Sequence, residues 1–248
     1  MPARPAPGRR VRPKATAVNA PVCAALERPS LIDFPGRIAA VLFVSGCNFR
    51  CGFCHNAAAL ARPRPGFSWD RLDALCRRFR DEWADGAVVS GGEPTLDPGL
   101  PALVDFLRER GFAVKLDTNG SRPDVLERLL GRLDCVAMDV KCRPESYPRV
   151  VGFDGIDALR LSAELIRARV PDHEFRTTVV ETIHSDVEMD GIAGFVRGAR
   201  RYVLQPFLPR PDLPDPSLRE APRTSPLRLQ ALRERMRGCA DEVLIRGG

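Results

Sequence analysis

Short apolar runs alternate with helix-length amphipathic stretches along most of this chain. IAAVLFV (38–44), AVVSGG (87–92), FAVKLDT (112–118), CVAMDVK (135–141), EFRTTVV (174–180) and RYVLQPF (201–207) are strand-length and rich in β-branched residues. Between them, apolar residues recur every three to four positions. Trp69 to Trp83 carries Leu72, Leu75, Cys76 and Phe79 on one stripe, and Leu100 to Arg110 carries Leu103, Val104 and Leu107, so both predict helices. A last helix over Leu227–Arg237 and a short strand, EVLIR (242–246), follow. Six strand-then-helix units predict an α/β fold with a parallel sheet, either a barrel or an open doubly wound sheet. In both, the loops that follow the strands gather at one end and hold the ligands. Gly46–His55, Gly91–Thr95, Asp117–Gly120 and Asp139–Lys141 follow or end the first four runs, so one end of the sheet is the expected site. The stretch 206–226 holds seven prolines and reads as a loop within the domain, because too little chain follows to build another.

Composition narrows the classes. With 248 residues, 44% hydrophobic and 28% charged, the chain is of globular type, and no run approaches the roughly 18–20 apolar residues of a membrane helix. Lys and Arg exceed Asp and Glu by six, yet residues 1–30 hold Arg4, Arg9, Arg10, Arg12, Lys14 and Arg28 against the single acid Glu27. Five of the six excess charges therefore sit there. Residues 1–25 are expected to be a basic, disordered leader, not a nucleic-acid-binding face, with 26–248 a single domain. ATAVNAPVCAAL is broken by Asn19 and Pro21, so it is no secretory signal, and the expected compartment is the cytoplasm. Eight cysteines are too sparse for a disulfide scaffold, and three of them crowd into eight positions, which fits a reducing interior. No Walker A motif or strand-associated GxGxxG is present.

The strongest chemical signal is Cys47-Asn-Phe-Arg-Cys51-Gly-Phe-Cys54, a CxxxCxxC in the loop leaving the first run. Structural zinc wants four protein ligands, and the nearest fourth candidate, His55, adjoins Cys54 and would strain to share its metal. Three soft thiolates suit an iron–sulfur cube whose fourth iron stays open to a substrate or cofactor.

This motif, with Phe53 before its last cysteine, resembles the signature of the radical S-adenosylmethionine superfamily. The resemblance extends through SLIDFPGRIAAVLFVSGCNFRCGFCHN (30–56), VVSGGEPTLDP (88–98), VKLDTNG (114–120) and VAMDVK (136–141), and runs from about Ser30 to Pro209. It is similar in particular to the branch that activates glycyl radical enzymes, the anaerobic ribonucleoside-triphosphate reductase activating proteins. The resemblance implies a partial (β/α)6 barrel, parallel strands with outer helices. It implies that Cys47, Cys51 and Cys54 hold a [4Fe-4S] cluster whose open iron is chelated by S-adenosylmethionine. An electron from a donor such as flavodoxin or ferredoxin then yields a 5′-deoxyadenosyl radical. This radical takes hydrogen from a glycine of a partner enzyme, an anaerobic ribonucleotide reductase large subunit being the first candidate. The alternatives are a radical enzyme acting on a small molecule and a non-catalytic iron–sulfur protein.

Within that implied site, Gly91 and Gly92 allow close backbone approach and Glu93 answers the methionyl ammonium, although SGGEPT also reads as a plain strand-to-helix turn. Asp117, Thr118 and Asn119 resemble cofactor-contacting positions. Asp139 and Lys141, the candidate catalytic pair, either meet a ligand or simply pair with each other. Arg176, Thr178 and Gln205 either reach the cofactor or are polar residues at the core's edge. His184 either lines the pocket or lies on the surface. Cys76 and Cys135 are expected in the core, and Cys142 near the site without a cluster partner.

Overall fold

The computed structural model describes residues 19–57 and 62–247. Eight strands form one sheet in chain order: β1 (Val22–Ala25), β2 (Ala39–Val44), β3 (Gly86–Gly91), β4 (Ala113–Thr118), β5 (Cys135–Asp139), β6 (His173–Val179), β7 (Ala199–Pro206) and β8 (Ala240–Ile245). β1 is antiparallel to β2, and every later neighbouring pair is parallel. The main helices are α1 (Trp69–Asp81), α2 (Leu100–Glu109), α3 (Pro123–Leu129), α4 (Tyr147–Val151), α5 (Ile156–Arg169), α6 (Asp186–Val196) and α7 (Pro226–Arg235). The six apolar runs are β2 to β7 and the terminal strand is β8, an α/β architecture of the partial-barrel kind.

The helices form where spacing and caps agree. Ser68, Ser185 and Ser225 each accept a hydrogen bond from a first-turn N–H of α1, α6 and α7, and Leu72, Cys76 and Phe79 bury the inner stripe of α1. α1 stops short of the expected Trp83, which is 83% exposed and left-handed at φ +68°, outside the helical stripe.

The convex face of the sheet packs under the helices around Leu42, Val89, Leu116, Val136 and Phe175. The concave face is different. Phe34 plugs its base against Ala39, Val41, Val88 and Cys135, and above that plug the face turns polar. Lys115 and Asp117 on β4, Asp139 on β5, and Glu174 and Arg176 on β6 alternate onto this face. Long side chains meet across two strands there, Arg176 reaching Asp117 at 3.1 Å.

One expectation is corrected. The segment assigned to a disordered leader ends in β1, whose Val22 is fully buried, while Ala20 donates to the Phe67 carbonyl at 2.9 Å. Pairing with β2 outweighs the flexible composition around it, because β2 would otherwise present an open edge. Residues 1–18, with all of the leader's charged side chains, lie outside the described residues. The proline-rich stretch after β7 is packed, with Leu213 and Leu218 buried beside Phe53 and Phe207.

Candidate active site at the C-terminal end of the sheet

A cavity of about 660 Å³ opens where the strands end. Cys47, Cys51 and Cys54 line it, together with Gly91, Gly92, Asp117, Thr118, Asn119, Asp139, Lys141, Arg176, Thr178 and Gln205. Residues scattered over some 160 positions of sequence thus meet at one concavity, because parallel connections return every strand's C-terminal end to the same side.

Glu93 takes another place. It is fully buried beneath the cavity wall, where its carboxylate accepts from Thr95 N at 3.1 Å, Thr118 Oγ1 at 2.7 Å and Asn119 N at 2.6 Å, and also from the Thr95 hydroxyl. Burial pushes this carboxyl up and the hydrogen bonds pull it back in part. It ties the end of β3 to the end of β4. Gly91 has φ +125°, and a Cβ there would lie 2.2 Å from the Val44 carbonyl oxygen, so only glycine lets β3 come this close to β2. The close approach at Gly91 is therefore to the protein's own backbone, while its open side borders the cavity.

The three thiols are free, half-buried and share one cavity. Burial raises the Cys51 thiol to about 12, with the Lys141 ammonium acting in the opposite sense and the neighbouring thiols adding to the rise; the Cys47 thiol is also raised by burial. Among the described residues no three such side chains are drawn together as a preformed metal-ligand group. Three free thiols on one wall are nevertheless the donor set an iron–sulfur cluster needs, and binding it must release their protons. His55, the candidate fourth ligand for zinc, is turned away to the Leu208 carbonyl at 2.8 Å.

A chain of alternating charges runs down from the cavity. Lys141 Nζ meets Asp139 at 2.9 Å, Arg176 Nε donates to Asp139 at 2.9 Å, and Arg176 also bridges to Asp117. The internal pair of Asp139 and Lys141 exists and faces the cavity as well, so the two readings of this pair are compatible. Burial opposes the charge on each, but Arg176 and Lys141 hold the Asp139 carboxyl well below the usual carboxylate range, and Asp139 holds Lys141 high.

The sequence did not reveal several supporting residues. Asn48, inside the cysteine motif, accepts from Asn119 Nδ2 at 2.9 Å and from Ser121 Oγ at 3.3 Å, joining that loop to β4. Tyr147 accepts from Lys141 N–H at 3.0 Å, and His184 Nε2 donates to the Lys141 carbonyl at 3.0 Å. His184 is fully buried and does not line this cavity; both expectations for it, pocket and surface, give way to a role fixing Lys141's backbone. Burial lowers its pKa, in keeping with a neutral ring. Cys142 is likewise core and does not line the cavity.

The Radical SAM superfamily model matches residues 41–191. The chain belongs to this superfamily. It is 32% identical over 88% of its length, and 92% of the other's, to a protein of Methanocaldococcus jannaschii provisionally assigned as a glycyl-radical enzyme activating enzyme. It is 28% identical to the pyruvate formate-lyase-activating enzyme of Clostridium pasteurianum, over 73% of this chain and 80% of that one. Its fold resembles that of Streptococcus suis SuiB bound to the precursor peptide SuiA, with a TM-score of 0.65 at 14% identity over 82% of this chain. The chain spans about half of SuiB's length, 48%. SuiB has also been solved bound to S-adenosylmethionine. This radical SAM enzyme uses a [4Fe-4S] cluster and S-adenosylmethionine, and Cys47, Cys51 and Cys54 line the cavity. No helix among the described residues is long and apolar enough to cross a membrane.

Proposed function

We propose that this radical SAM enzyme activates a glycyl radical enzyme, taking a hydrogen atom from a backbone glycine of that partner. The similarity to activating enzymes along nearly the whole chain supports the reading, and the observation that carries it is the meeting of three thiols and the Asp117–Arg176–Asp139–Lys141 chain at one cavity. Cluster and S-adenosylmethionine, when bound, supply a 5′-deoxyadenosyl radical. The protein's part is to bind, orient and shield. Cys47, Cys51 and Cys54 hold the cluster. Gly91, Gly92, Thr118, Asn119, Thr178 and Gln205 shape the wall, and Glu93 braces it from beneath. Asp117, Asp139, Lys141 and Arg176 offer fixed charges of both signs, suited to a zwitterionic methionyl group, whose ammonium and carboxylate need opposite partners. An anaerobic ribonucleotide reductase large subunit is the first partner to test, and a flavodoxin or ferredoxin the class of electron donor.

The test is anaerobic reconstitution with iron and sulfide, reduction with dithionite, and assay of 5′-deoxyadenosine from S-adenosylmethionine. Adding the candidate reductase should then produce a glycyl radical signal by electron paramagnetic resonance. Product without a glycyl radical on any glycyl radical enzyme supplied would refute the activase reading and leave a radical enzyme of another substrate class.

A further inference from the structure

The backbone of Cys51–Cys54 closes a tight turn, Cys54 N–H donating to the Cys51 carbonyl at 3.3 Å. This turn sets where two of the three thiols sit, and its middle residues are Gly52 and Phe53, the latter also edge-on to His184. They are held by the proline-rich segment that returns from β7. Asp215 N–H donates to the Gly52 carbonyl at 3.1 Å. A Cβ on Gly52 would lie 2.8 Å from Asp215 Cβ, so the two backbones touch there. Phe53 is buried among Val180, Phe207, Leu213 and Leu218. Just beyond Cys54, His55 Nε2–H donates to the Leu208 carbonyl at 2.8 Å and its ring stacks on Phe207 at 6.0 Å.

The gripping segment is itself closed at its base. Phe207 N–H donates to Thr224 Oγ1 at 2.8 Å, Thr224 N–H returns to the Phe207 carbonyl at 3.2 Å, and the Thr224 hydroxyl donates to Val179. Proline locks φ through the loop, which lowers the entropy lost in holding one shape.

We propose that residues 207–224 form a clasp that positions the Cys51 and Cys54 thiols by gripping the turn between them, with His55 as its pin. His55 and Gly52 are thus positioning residues for the cluster. The role rests on the cluster assignment and not on the partner's identity. A ligand whose turn is loosened retains its sulfur but loses its aim, and loss of such supporting contacts typically costs about 10- to 100-fold in metal retention.

The experiment uses the reconstituted full chain and follows iron loss to a ferrous chelator, the electron paramagnetic resonance signal of the reduced cluster, and thermal unfolding of the unloaded chain. Gly52→Ala should lose iron at least about 10-fold faster and broaden the cluster signal. Adding Asp215→Gly, which removes the opposing Cβ, should restore retention. His55→Phe keeps the stack but removes the donor and should behave like Gly52→Ala, whereas His55→Gln, which can still donate, should stay near the parent. The His55 pair decides the matter if Gly52→Ala unfolds. Parent-like iron loss and spectra in both Gly52→Ala and His55→Phe would overturn the clasp, as would fast loss that neither Asp215→Gly nor His55→Gln relieves. A parent chain that binds no cluster would instead overturn the cofactor reading on which the clasp depends.

Discussion

Lys115 and Asp117 stand two residues apart on β4, and Glu174 and Arg176 two apart on β6, all on the concave face, yet the two levels they occupy serve different ends. At the lower level Lys115 and Glu174 are wholly buried. Glu174 receives Arg246 through two bonds of 2.9 and 2.8 Å, and Lys115 Nζ lies 2.7 Å from Asp117 and 3.6 Å from Glu174. At the upper level the side chains of Asp139 and Lys141 remain 27% and 19% exposed to the cavity. Similar charges, one pleat apart, are closed off as structure below and left open to a ligand above. Depth along the strand, not residue type, separates the two, because a buried charge needs every partner supplied by the protein while one at the rim can share with a bound molecule.

The most severe break at the upper level is Cys51→Ala. Iron retention and 5′-deoxyadenosine formation should fall to background while urea unfolding of the unloaded chain stays close to that of the parent; product formation at the parental rate would remove Cys51 from the ligand set. Next comes Glu174→Gln at the lower level, expected to cost about 3–5 kcal/mol in urea unfolding at pH 7, since it removes the anion that Arg246 bonds twice and leaves Lys115 with Asp117 as its remaining carboxylate.

The same carboxylate makes a pH test. Burial works to raise Glu174, but the hydrogen bonds from Arg246 and the charges of Lys115 and Arg176 outweigh it and hold the carboxyl at about 2, below its ordinary 4.5. Its contribution is therefore fully present above pH 4.5 and is lost as pH falls toward 2, on the order of 3 kcal/mol by the shift. The parent should lose that stability in acid, and Glu174→Gln should lack this part of the slope. An identical slope in both chains would show that the lower level is not held by this ion.

Asp139→Asn should shift the balance toward function, lowering S-adenosylmethionine cleavage by about 100-fold through misplaced contacts while costing less stability than Glu174→Gln, because its side chain is open to the cavity. If it unfolded the chain as Glu174→Gln does, the distinction between levels would fail. The smallest effect belongs to a surface control. Asp124 pairs with Arg122 at 3.0 Å with both side chains over 40% exposed, and Asp124→Ser should change stability by less than about 1 kcal/mol.

The chemistry was legible wherever it was local. CxxxCxxC stands out because three cysteines at that spacing are rare by composition, whereas SGGEPT alone also reads as a plain turn and gained its meaning from the cysteine motif beside it. Apolar runs alternating with helix-length segments likewise revealed the parallel strands, since a strand covered on both faces is buried almost continuously, as β4 is. β1 was hidden because four residues in a Pro- and Ala-rich setting carry no signal until β2 offers an edge. His184 looked like any loop histidine until folding brought its Nε2 to the Lys141 carbonyl, 43 positions away.

By itself the sequence determined the run of strands from β2 to β8 alternating with helices, the cysteine motif and the end of the sheet on which that motif lies. Only the tertiary structure decided that Glu93 braces the wall from beneath, that Gly91 is required against Val44, that Lys115 and Glu174 are wholly buried with Asp117 and Arg246 as their near partners, and that the proline-rich segment grips the cysteine turn. Each of these depends on a contact between residues far apart in the chain, and a linear pattern records what a side chain is but not which partner completes its hydrogen bonds or excludes its solvent.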